Sequence, residues 1–309
     1  MSSSATPELS LIIVNWNTRT LLARCLETVW AEGARFGRRR LETIVVDNGS
    51  TDGSADLVAA AFPWVRLLQN AENVGFARAN NQGIAVSRGA WVLLLNSDTE
   101  LHAGCFAALV AFMQAHPRAG AAGARLLNSD GSLQPSCQPM LTPGREFWRL
   151  SFLDRLWPRA TYRMSRWDQR RPRRVEVIKG ACLLLRRAAL DEVGLLDDRY
   201  FMYTEEVDIC YRLARAGWTL WYVPAAMATH HGEASSRQVA RAMYVQLYRS
   251  KVQFYRKVGG EREARRFKRL LRLAYEPRRV VMTMAAYFHP SWRLRAQLCR
   301  HLLAELPRM

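Results

Sequence analysis

Short apolar runs alternate with longer amphipathic stretches through the first 130 residues, and this alternation constrains the fold more than any other feature of the sequence. It predicts βαβ units, in which parallel strands form a sheet that helices cover on both faces. We expect strands at Leu9–Val14, Glu42–Asp47, Val65–Gln69 and Ala90–Leu95, separated by helices at about 18–32, 52–61, 75–86 and 103–115. Because ligands of such sheets bind beyond the carboxyl ends of the strands, polar residues that directly follow a strand are candidate site residues.

The second half of the chain is predicted to complete the sheet and then to extend into a basic helical segment. After a turn at 128–131, an irregular stretch rich in Arg and Trp continues to about residue 174. The ordered elements that follow are a strand ending in Lys179-Gly180-Ala181, a helix near 188–193, an acidic helix at about 205–216, and strands Thr219–Val223 and Ala226–His230. We therefore expect an α/β domain over residues 1–236 and a helical extension over residues 237–309.

The net charge of +18 is concentrated in two segments of the second half. Residues 1–136 carry 11 Lys/Arg and 11 Asp/Glu, whereas residues 145–174 carry ten against three and residues 237–309 carry 18 against four. Basic segments of this kind suit an anionic membrane surface or a polyanion. In the last segment the arginines are interleaved with apolar residues, which predicts helices that either lie on a membrane or pack on the first domain. These apolar residues are Phe254, Tyr255, Phe267, Leu270, Leu271, Leu273, Val280, Val281, Met282, Met284, Tyr287, Phe288 and Trp292.

The cysteine pattern and the hydropathy predict a protein of a reducing compartment. None of the six cysteines forms a C-x-x-C pair or has zinc-ligand spacing, which favours buried free thiols. The first residues carry no secretory signal, and no apolar stretch is long enough to cross a bilayer. Together with the basic segments, these features predict a cytoplasmic protein that binds peripherally to the inner face of the cell membrane.

Polar residues follow two of the predicted strands. The strand that ends at Asp47 continues into Asn48-Gly49-Ser50, where a carboxylate beside a glycine turn either binds a base or ribose or belongs to a well-formed βα turn. The apolar strand that ends at Leu95 is followed by Asn96-Ser97-Asp98. A carboxylate at this edge is either a turn residue or an oxygen ligand for a hard divalent cation that bridges two phosphates.

Two further clusters carry titratable side chains. Glu205, Glu206 and Asp208 stand at the start of a predicted helix, where they either compensate the helix dipole or raise one another's pKa. A carboxylate with a raised pKa suits a base that takes a proton from a hydroxyl group. His230 and His231 follow a predicted strand and form either a hydrogen-bonded structural element or a metal-ligand pair.

In their order along the chain, these pieces resemble the motifs of the family 2 glycosyltransferases with the GT-A fold, particularly bacterial rhamnosyltransferase-like members. The resemblance covers about residues 8–236. It implies an α/β fold with a mixed, mainly parallel sheet and flanking helices that binds a nucleotide sugar. It rests on Asn15-Trp16-Asn17, Asp47-Asn48-Gly49-Ser50, residues 73–81, Asn96-Ser97-Asp98, Lys179-Gly180-Ala181, Glu205-Glu206-x-Asp208 and His230-x-Gly232.

The resemblance implies a donor site and a metal site. Asp47 would bind the uracil or thymine base, with help from the region of Asn17. Asp98, the last residue of the family's D-x-D-type motif, would hold Mg²⁺ or Mn²⁺ on the donor diphosphate together with His230. Asn96 stands where the family has the first Asp of that motif, which leaves fewer anionic ligands. The other implied donor-binding positions are Asn48, Gly75, Asn80 and Asn96.

The resemblance also implies a base and an acceptor side. Glu206 occupies the place of the second acidic residue in the family's Glu-Asp motif and would be the general base. The family usually has Asp at that place, so Glu205 and Asp208 stay open as alternatives. The implied acceptor-side residues are Gly180, Ala181 and Tyr203.

These features predict an inverting, metal-dependent glycosyltransferase that moves a single sugar from a UDP- or dTDP-sugar to a hydroxyl of a saccharide or lipid-linked saccharide. The resemblance favours rhamnose as the sugar, and cell-surface polysaccharide or glycolipid assembly as the setting. The family's processive enzymes carry Q-x-x-R-W, whereas here Gln238 and Arg241 are followed by Ala242. One sugar per binding event is therefore expected.

Two other classes of protein fit part of the sequence. A nucleotidyltransferase of sugar phosphates would share the sheet and a metal-binding aspartate, but the Gly-rich phosphate loop typical of such enzymes is missing from the sequence. A non-catalytic polyanion-binding protein would account for the net charge of +18 but not for the acidic helix. No feature predicts a specific nucleic-acid partner.

Overall fold

The computed structural model describes residues 6–155, 160–232 and 240–309. The strands are β1 Leu9–Asn15, β2 Leu41–Asp47, β3 Arg66–Gln69, β4 Trp91–Asn96, β5 Thr99–Leu101, β6 Ala119–Leu127, β7 Leu133–Gln134, β8 Cys137–Gln138, β9 Arg173–Val175, β10 Val177–Ile178, β11 Cys182–Arg186 and β12 Thr219–His230. The helices are α1 Arg19–Phe36, α2 Ser54–Ala61, α3 Phe76–Val86, α4 Cys105–Ala115, α5 Pro143–Leu150, α6 Arg187–Val193, α7 Glu205–Arg215, α8 Ala240–Phe288 and α9 Arg293–Glu305. The described residues divide into two compact units.

The first unit, built from residues 6–140, 162–201 and 205–232, contains the main sheet. Its strand order is β3-β2-β1-β4-β11-β6-β12-β5, with β7 added to β6 and β9 added to β12. Strands β1, β2, β3 and β4 run parallel, and every residue of β1 is buried, as expected for a strand covered on both faces. The register pairs Asn15 with Asp47 and Val14 with Asn96, so the polar strand ends meet at one edge.

The sheet is mixed, as the sequence predicts. Strand β11 runs antiparallel to both of its neighbours, β4 and β6, whereas β12 runs parallel to β6. The sequence predicts two strands, Thr219–Val223 and Ala226–His230, but the structure has the single strand β12. Its register against β6 shifts between Val223 and Met227, where Pro224 lacks the N–H that a regular ladder needs. The strand therefore continues past its proline through an irregularity.

Two elements of the sheet differ from the sequence-based expectation. The sequence predicts a strand that ends in Lys179-Gly180-Ala181, and this prediction of the end is wrong. These three residues connect β10, which ends at Ile178, to β11, which begins at Cys182. Strand β6 has the sequence AGAAGARLL, whose Ala and Gly residues give no strand signal. Glycine is needed there because a Cβ at Gly123 would lie 2.2 Å from Cγ2 of Ile178. Contacts with residues that are distant in the sequence thus determine that this segment forms a strand.

The second unit consists of residues 141–155, 160–161, 202–204 and 240–309. Helix α8 is broken at Gly260, whose φ of 69° and ψ of −172° are not helical. Helix α5, inside the stretch predicted to be irregular, starts at Pro143 and is capped by Thr142, whose hydroxyl accepts a hydrogen bond from the Arg145 amide at 3.2 Å. The buried ion pair of Lys251 and Glu146, at 3.0 Å, ties α8 to α5.

The predicted domain boundary at 236 lies outside the described residues, and so does Gln238 of the Q-x-x-R comparison. The division into domains 1–236 and 237–309 stays a prediction. All six cysteines are buried and unpaired, as the sequence predicts. Among the helices of the described residues, none combines the length and the hydropathy that a membrane span requires.

Candidate active site

Asp98 and His230 come together at the edge of the sheet. Asp98 lies in the turn between β4 and β5, and His230 is the last residue of β12, whose antiparallel pairing with β5 sets His230 opposite Thr99. The distance between Nε2 of His230 and Oδ1 of Asp98 is 3.2 Å. The backbone also joins the two segments, because the His231 amide donates to the carbonyl of Asp98 at 3.0 Å. The structure thus unites the two residues that the sequence assigns to the metal.

The Gln134 side chain fixes the tautomer of His230. Its amide nitrogen donates to the His230 carbonyl at 3.1 Å and to Oδ1 of Asn128 at 2.9 Å, so its Oε1 faces Nδ1 of His230 at 2.8 Å. An oxygen there accepts a hydrogen bond from Nδ1, so in the neutral imidazole the lone pair is on Nε2. That lone pair points to Asp98 and to Nδ2 of Asn96, which lies 3.2 Å away.

This geometry fits a divalent cation. In the neutral tautomer, a lone pair of His230 faces a carboxylate oxygen of Asp98 at 3.2 Å, and a cation between them removes the repulsion. Two ligands at right angles on an ion with bonds of about 2.1 Å lie about 3 Å apart. In the described part of the chain no third His, Cys, Asp or Glu joins them. Two protein ligands are sufficient where substrate phosphates and water complete the shell.

Asp47 is held at the neighbouring edge by a network of polar residues. Its carboxylate is buried and accepts hydrogen bonds from Nδ2 of Asn15 and from the Ser50 amide, both at 3.0 Å. Ser50 in turn accepts from the amide of Asn17 at 3.0 Å, and Oδ1 of Asn17 accepts from the Thr51 amide at 2.8 Å. Asn17 adopts a left-handed φ of 53°, which asparagine tolerates better than most residues. The two predicted base-binding residues therefore belong to one hydrogen-bonded network, which links the segment after β1 to the segment after β2.

Asn48 shapes a loop next to this turn. Its Nδ2 donates to Asn73 Oδ1 at 2.8 Å and to the Gly75 carbonyl at 3.4 Å, while its Oδ1 accepts from Asn70 at 3.0 Å and from the Val74 amide at 3.1 Å. These four bonds use the full capacity of the amide group. Asn48 thus holds the loop before α3 and has no remaining group for a ligand.

Gly75 allows that loop to approach Phe201 closely. The amide of Phe76 donates to the Phe201 carbonyl at 2.6 Å, and a Cβ at Gly75 would lie 2.6 Å from the same oxygen. Gly75 also has a φ of +91°. Asn80, one turn into α3, is buried and donates to the Phe76 carbonyl at 2.9 Å. Both predicted donor-binding residues therefore have a structural function that is visible in the fold.

Gly75→Ala is expected to cost about 1–3 kcal/mol more stability than Gly194→Ala, because the new methyl group collides with the Phe201 backbone. Gly194 is a matched control, since its φ of 82° and ψ of 167° are close to the 91° and 161° of Gly75, and the nearest atom to its new methyl group, Nη1 of Arg212, lies at an ordinary contact distance of 3.7 Å. Urea unfolding of both variants measures the difference. Equal losses of stability would contradict the close approach of this loop to Phe201.

The three acidic residues at the start of α7 have different surroundings. Glu205 is buried, and burial together with the charge of Glu206 raises the pKa of its carboxyl well above the usual range. Asp208 is fully buried and forms an ion pair at 2.7 Å with Arg212, whose guanidinium also donates to the carbonyl of Val193. Glu206 is the only one of the three that is partly exposed. These contacts favour Glu206 over its two neighbours as the base.

Gly180 and Ala181 connect the acidic helix with the metal-binding pair. A Cβ at Gly180 would lie 3.9 Å from Cβ of Glu206, so this backbone borders the proposed base. The carbonyl of Ala181 accepts from the Asn96 amide at 3.1 Å, which ties the same segment to the end of β4.

Tyr203 belongs to the second unit, and both it and Thr204 have left-handed φ values, 66° and 75°. Such backbone strain is unusual and is typical of functional segments.

The sequence gives no indication that Gln134 is a site residue. It lies on the short strand β7, outside every motif, and reaches His230 only because β7 pairs with β6. Asn15 is part of a motif, but its bond to Asp47 depends on the register of two strands that are 32 residues apart. No local signal could have identified either contact.

The comparisons with known proteins concern the family and the fold of the chain. The chain matches the family model for glycosyl transferase family 2 over residues 10–194. A curated relative from Mycobacterium tuberculosis, N-acetylglucosaminyl-diphospho-decaprenol L-rhamnosyltransferase, is 38% identical over 222 residues, which cover 67% of this chain and 71% of the relative.

Solved structures share the fold at low sequence identity. A mannosyltransferase from Pyrobaculum calidifontis, determined with GDP-Man and Mn²⁺, has a TM-score of 0.57 and 17% identity, and the match covers 97% of this chain and 86% of that one. GalNAc-T7, determined with UDP, GalNAc and Mn²⁺, has a TM-score of 0.55 and 18% identity, and the match covers 74% and 44% of the two chains. The fold is therefore of the GT-A type, with a helical C-terminal extension.

Proposed function

The chain belongs to glycosyl transferase family 2, and we propose that it is an inverting, metal-dependent enzyme that transfers one sugar from a UDP- or dTDP-sugar to an acceptor hydroxyl. The observation that carries this proposal is the 3.2 Å distance between Oδ1 of Asp98 and Nε2 of His230. This pair lies on the sheet edge that also carries Asp47, and the 180–181 backbone connects it to Glu206. Metal, base-binding residue and general base thus occupy one site.

The residues divide the chemistry among them. Asp98 and His230 would hold Mg²⁺ or Mn²⁺, and the ion would supply positive charge for the departing diphosphate. Asp47 binds the base of the donor nucleotide, with Asn17 completing the turn. Glu206 takes the proton of the acceptor hydroxyl, whose oxygen bonds to the anomeric carbon as the bond from that carbon to the diphosphate oxygen breaks. A single displacement of this kind inverts the configuration of the sugar and leaves the nucleoside diphosphate as product.

We propose rhamnose as the donor sugar and a lipid-diphosphate-linked saccharide as the acceptor. The name of the M. tuberculosis relative gives both for that protein, and its 38% identity supports the same classes here. A lipid-linked acceptor stays in a membrane, and the surplus of 18 Lys/Arg over four Asp/Glu in residues 237–309 suits an anionic surface. The proposed location is peripheral, on the inner face of the cell membrane.

A panel of UDP-, dTDP- and GDP-sugars with and without Mn²⁺ tests this function. Metal-dependent thermal protection by one donor, and release of its nucleoside diphosphate in the presence of acceptor, are the expected results. Release of pyrophosphate from a nucleoside triphosphate and a sugar phosphate would instead identify a nucleotidyltransferase. Salt-sensitive binding of polyanions without any donor turnover would favour a non-catalytic protein.

Gln134→Leu is expected to weaken Mn²⁺ binding about 10- to 100-fold, because a side chain that orients a ligating histidine has an effect of this size on metal affinity. Without the Gln134 oxygen, the imidazole of His230 is free to place its proton on Nε2, where it blocks the metal. Electron paramagnetic resonance of Mn²⁺ in the presence of nucleoside diphosphate measures the affinity. Asn128→Ala removes one partner of the Gln134 nitrogen but leaves the Gln134 oxygen at Nδ1 of His230, so it should retain most of the affinity. Unchanged affinity of the leucine variant would contradict this function of Gln134.

A further inference from the structure

The end of helix α8 exposes apolar side chains along one of its faces. From Val280 to Trp292 the sequence contains no Asp, Glu, Lys or Arg. Within this run Val281 is 62%, Met284 63%, Tyr287 85% and Phe288 71% exposed. Isolated exposed apolar residues are normal, but a continuous run of them on a helix end indicates an interaction site. We call residues 280–292 the apolar tip.

The apolar tip extends beyond the packed part of the second unit. The hydroxyl of Tyr275 pairs with that of Tyr248, so the two halves of α8 run antiparallel on either side of the break at Gly260. Cys299 of α9 donates to the Tyr275 carbonyl at 3.3 Å and completes this core. The described part of the first half begins at Ala240, and the pairing of residue 248 with residue 275 sets Ala240 near residue 283. Met282, Ala285 and Ala286 are only partly exposed, so the tip keeps packing contacts on one side and leaves its apolar face uncovered on the other.

Basic side chains flank the apolar tip at both ends. Arg279 precedes it and is exposed, with a 2.8 Å contact to Glu276. Arg293 and Arg295 follow it at the start of α9 and are also exposed. The helical part of the tip, Val280 to Phe288, has nine residues and spans about 13 Å at 1.5 Å per residue. This length is about half of the 30 Å hydrocarbon core of a bilayer.

We infer that the apolar tip inserts into one leaflet of an anionic membrane while Arg279, Arg293 and Arg295 contact the lipid phosphates. The exposed apolar face suits the hydrocarbon of one leaflet, and the arginines at both ends of the tip match the negative surface. A twofold contact between two copies of the chain would place the same arginines against each other, which disfavours a homodimer through this surface. The inference rests on the proposed function only in that a lipid-linked acceptor gives the insertion a purpose.

This geometry corrects the amphipathic helices expected from the sequence. Of the apolar residues interleaved with arginine, Phe254, Tyr255, Phe267 and Leu271 are buried within the second unit. They pack in its core and are not available to lipid. Exposure is concentrated in the tip, with Leu273 the main exception before it, at 77%. The proposed membrane contact is therefore confined to the exposed face of the apolar tip.

Vesicle co-sedimentation of the full chain tests the insertion. The variant Val281→Asp/Met284→Asp is expected to bind phosphatidylcholine vesicles containing phosphatidylglycerol at least about tenfold more weakly than the wild type, because a charge in hydrocarbon is strongly unfavourable. The matched control is Phe147→Asp on α5, an aromatic side chain that is 50% exposed on another helix of the same unit. It should bind like the wild type. Arg293→Gln/Arg295→Gln should lose the preference for phosphatidylglycerol and its sensitivity to salt.

Three outcomes separate this inference from its alternatives. Equal binding of the wild type and the tip variant would overturn it. A wild-type dimer that the tip variant dissociates, with no vesicle binding by either, would identify a second copy of the chain as the occupant. Release of nucleoside diphosphate from a donor with a short, soluble acceptor should be the same in wild type and tip variant. If the wild type shows no such release but binds vesicles through the tip, the proposed function fails and the insertion stands.

Discussion

Asp98→Ala is expected to lower turnover by about 10³-fold or more and to remove the Mn²⁺ dependence of donor binding. A metal ion contributes several kcal/mol to the stabilisation of transition-state charge, and about 4 kcal/mol corresponds to 10³ in rate. Asp98 supplies the negative charge at the metal site, because Asn96 contributes only a neutral amide beside it. Steady-state turnover with the identified donor, and thermal shifts with and without Mn²⁺, measure both effects.

The fold should survive this substitution. The bond that joins β5 to the end of β12 at this point runs from the His231 amide to the backbone carbonyl of Asp98, which alanine retains. Asp98→Asn keeps the shape of the side chain and removes only its charge, so it should lose turnover to a similar extent with an unchanged melting temperature. Wild-type turnover in either variant would contradict the metal-binding function of Asp98.

The early part of the fold could be predicted because its signals are local. Strands β1, β2, β3 and β4 begin and end within about one residue of their predicted positions, since each is a continuous apolar run bounded by turn residues. Parallel pairing then brings their polar ends to one edge, which is why Asp47 and Asp98 could be recognised from the sequence.

The remaining features depend on contacts between distant segments. Strand β6 is a strand because Gly123 accommodates Ile178, which is 55 residues away. The capacity of Asn48 for a ligand could not be judged until its four hydrogen bonds were known. The surroundings of the apolar residues in the C-terminal segment could not be predicted either. Their sequence pattern is compatible both with contact to lipid and with packing in a protein core. Local patterns identify residue types at a site, whereas burial and pairing decide which of them act.

The last prediction concerns the choice of base among Glu205, Glu206 and Asp208. Glu206→Gln is expected to lower kcat by about 10²- to 10⁴-fold with little change in donor affinity, since the amide keeps the shape but does not accept the proton. Glu205→Gln should have a small effect on kcat, because Glu205 is buried, and burial with the neighbouring charge raises its pKa and so disfavours the charged form, which the amide also lacks.

Asp208→Asn is the third variant of this set, and its effect should differ from the effects of Glu206→Gln and Glu205→Gln. It weakens the ion pair with Arg212, whose guanidinium also binds the carbonyls of residues 193–195, so the expected loss is in stability, measured by urea unfolding. Its kcat per folded molecule should stay close to that of the wild type. Of the three acidic residues, Glu206 is the partly exposed one, and it lies beside Gly180. A loss of kcat in Glu206→Gln together with a loss of stability in Asp208→Asn would therefore agree with this position of Glu206. A large fall in kcat for Glu205→Gln or Asp208→Asn, with near-normal turnover of Glu206→Gln, would assign the base to another residue of the cluster.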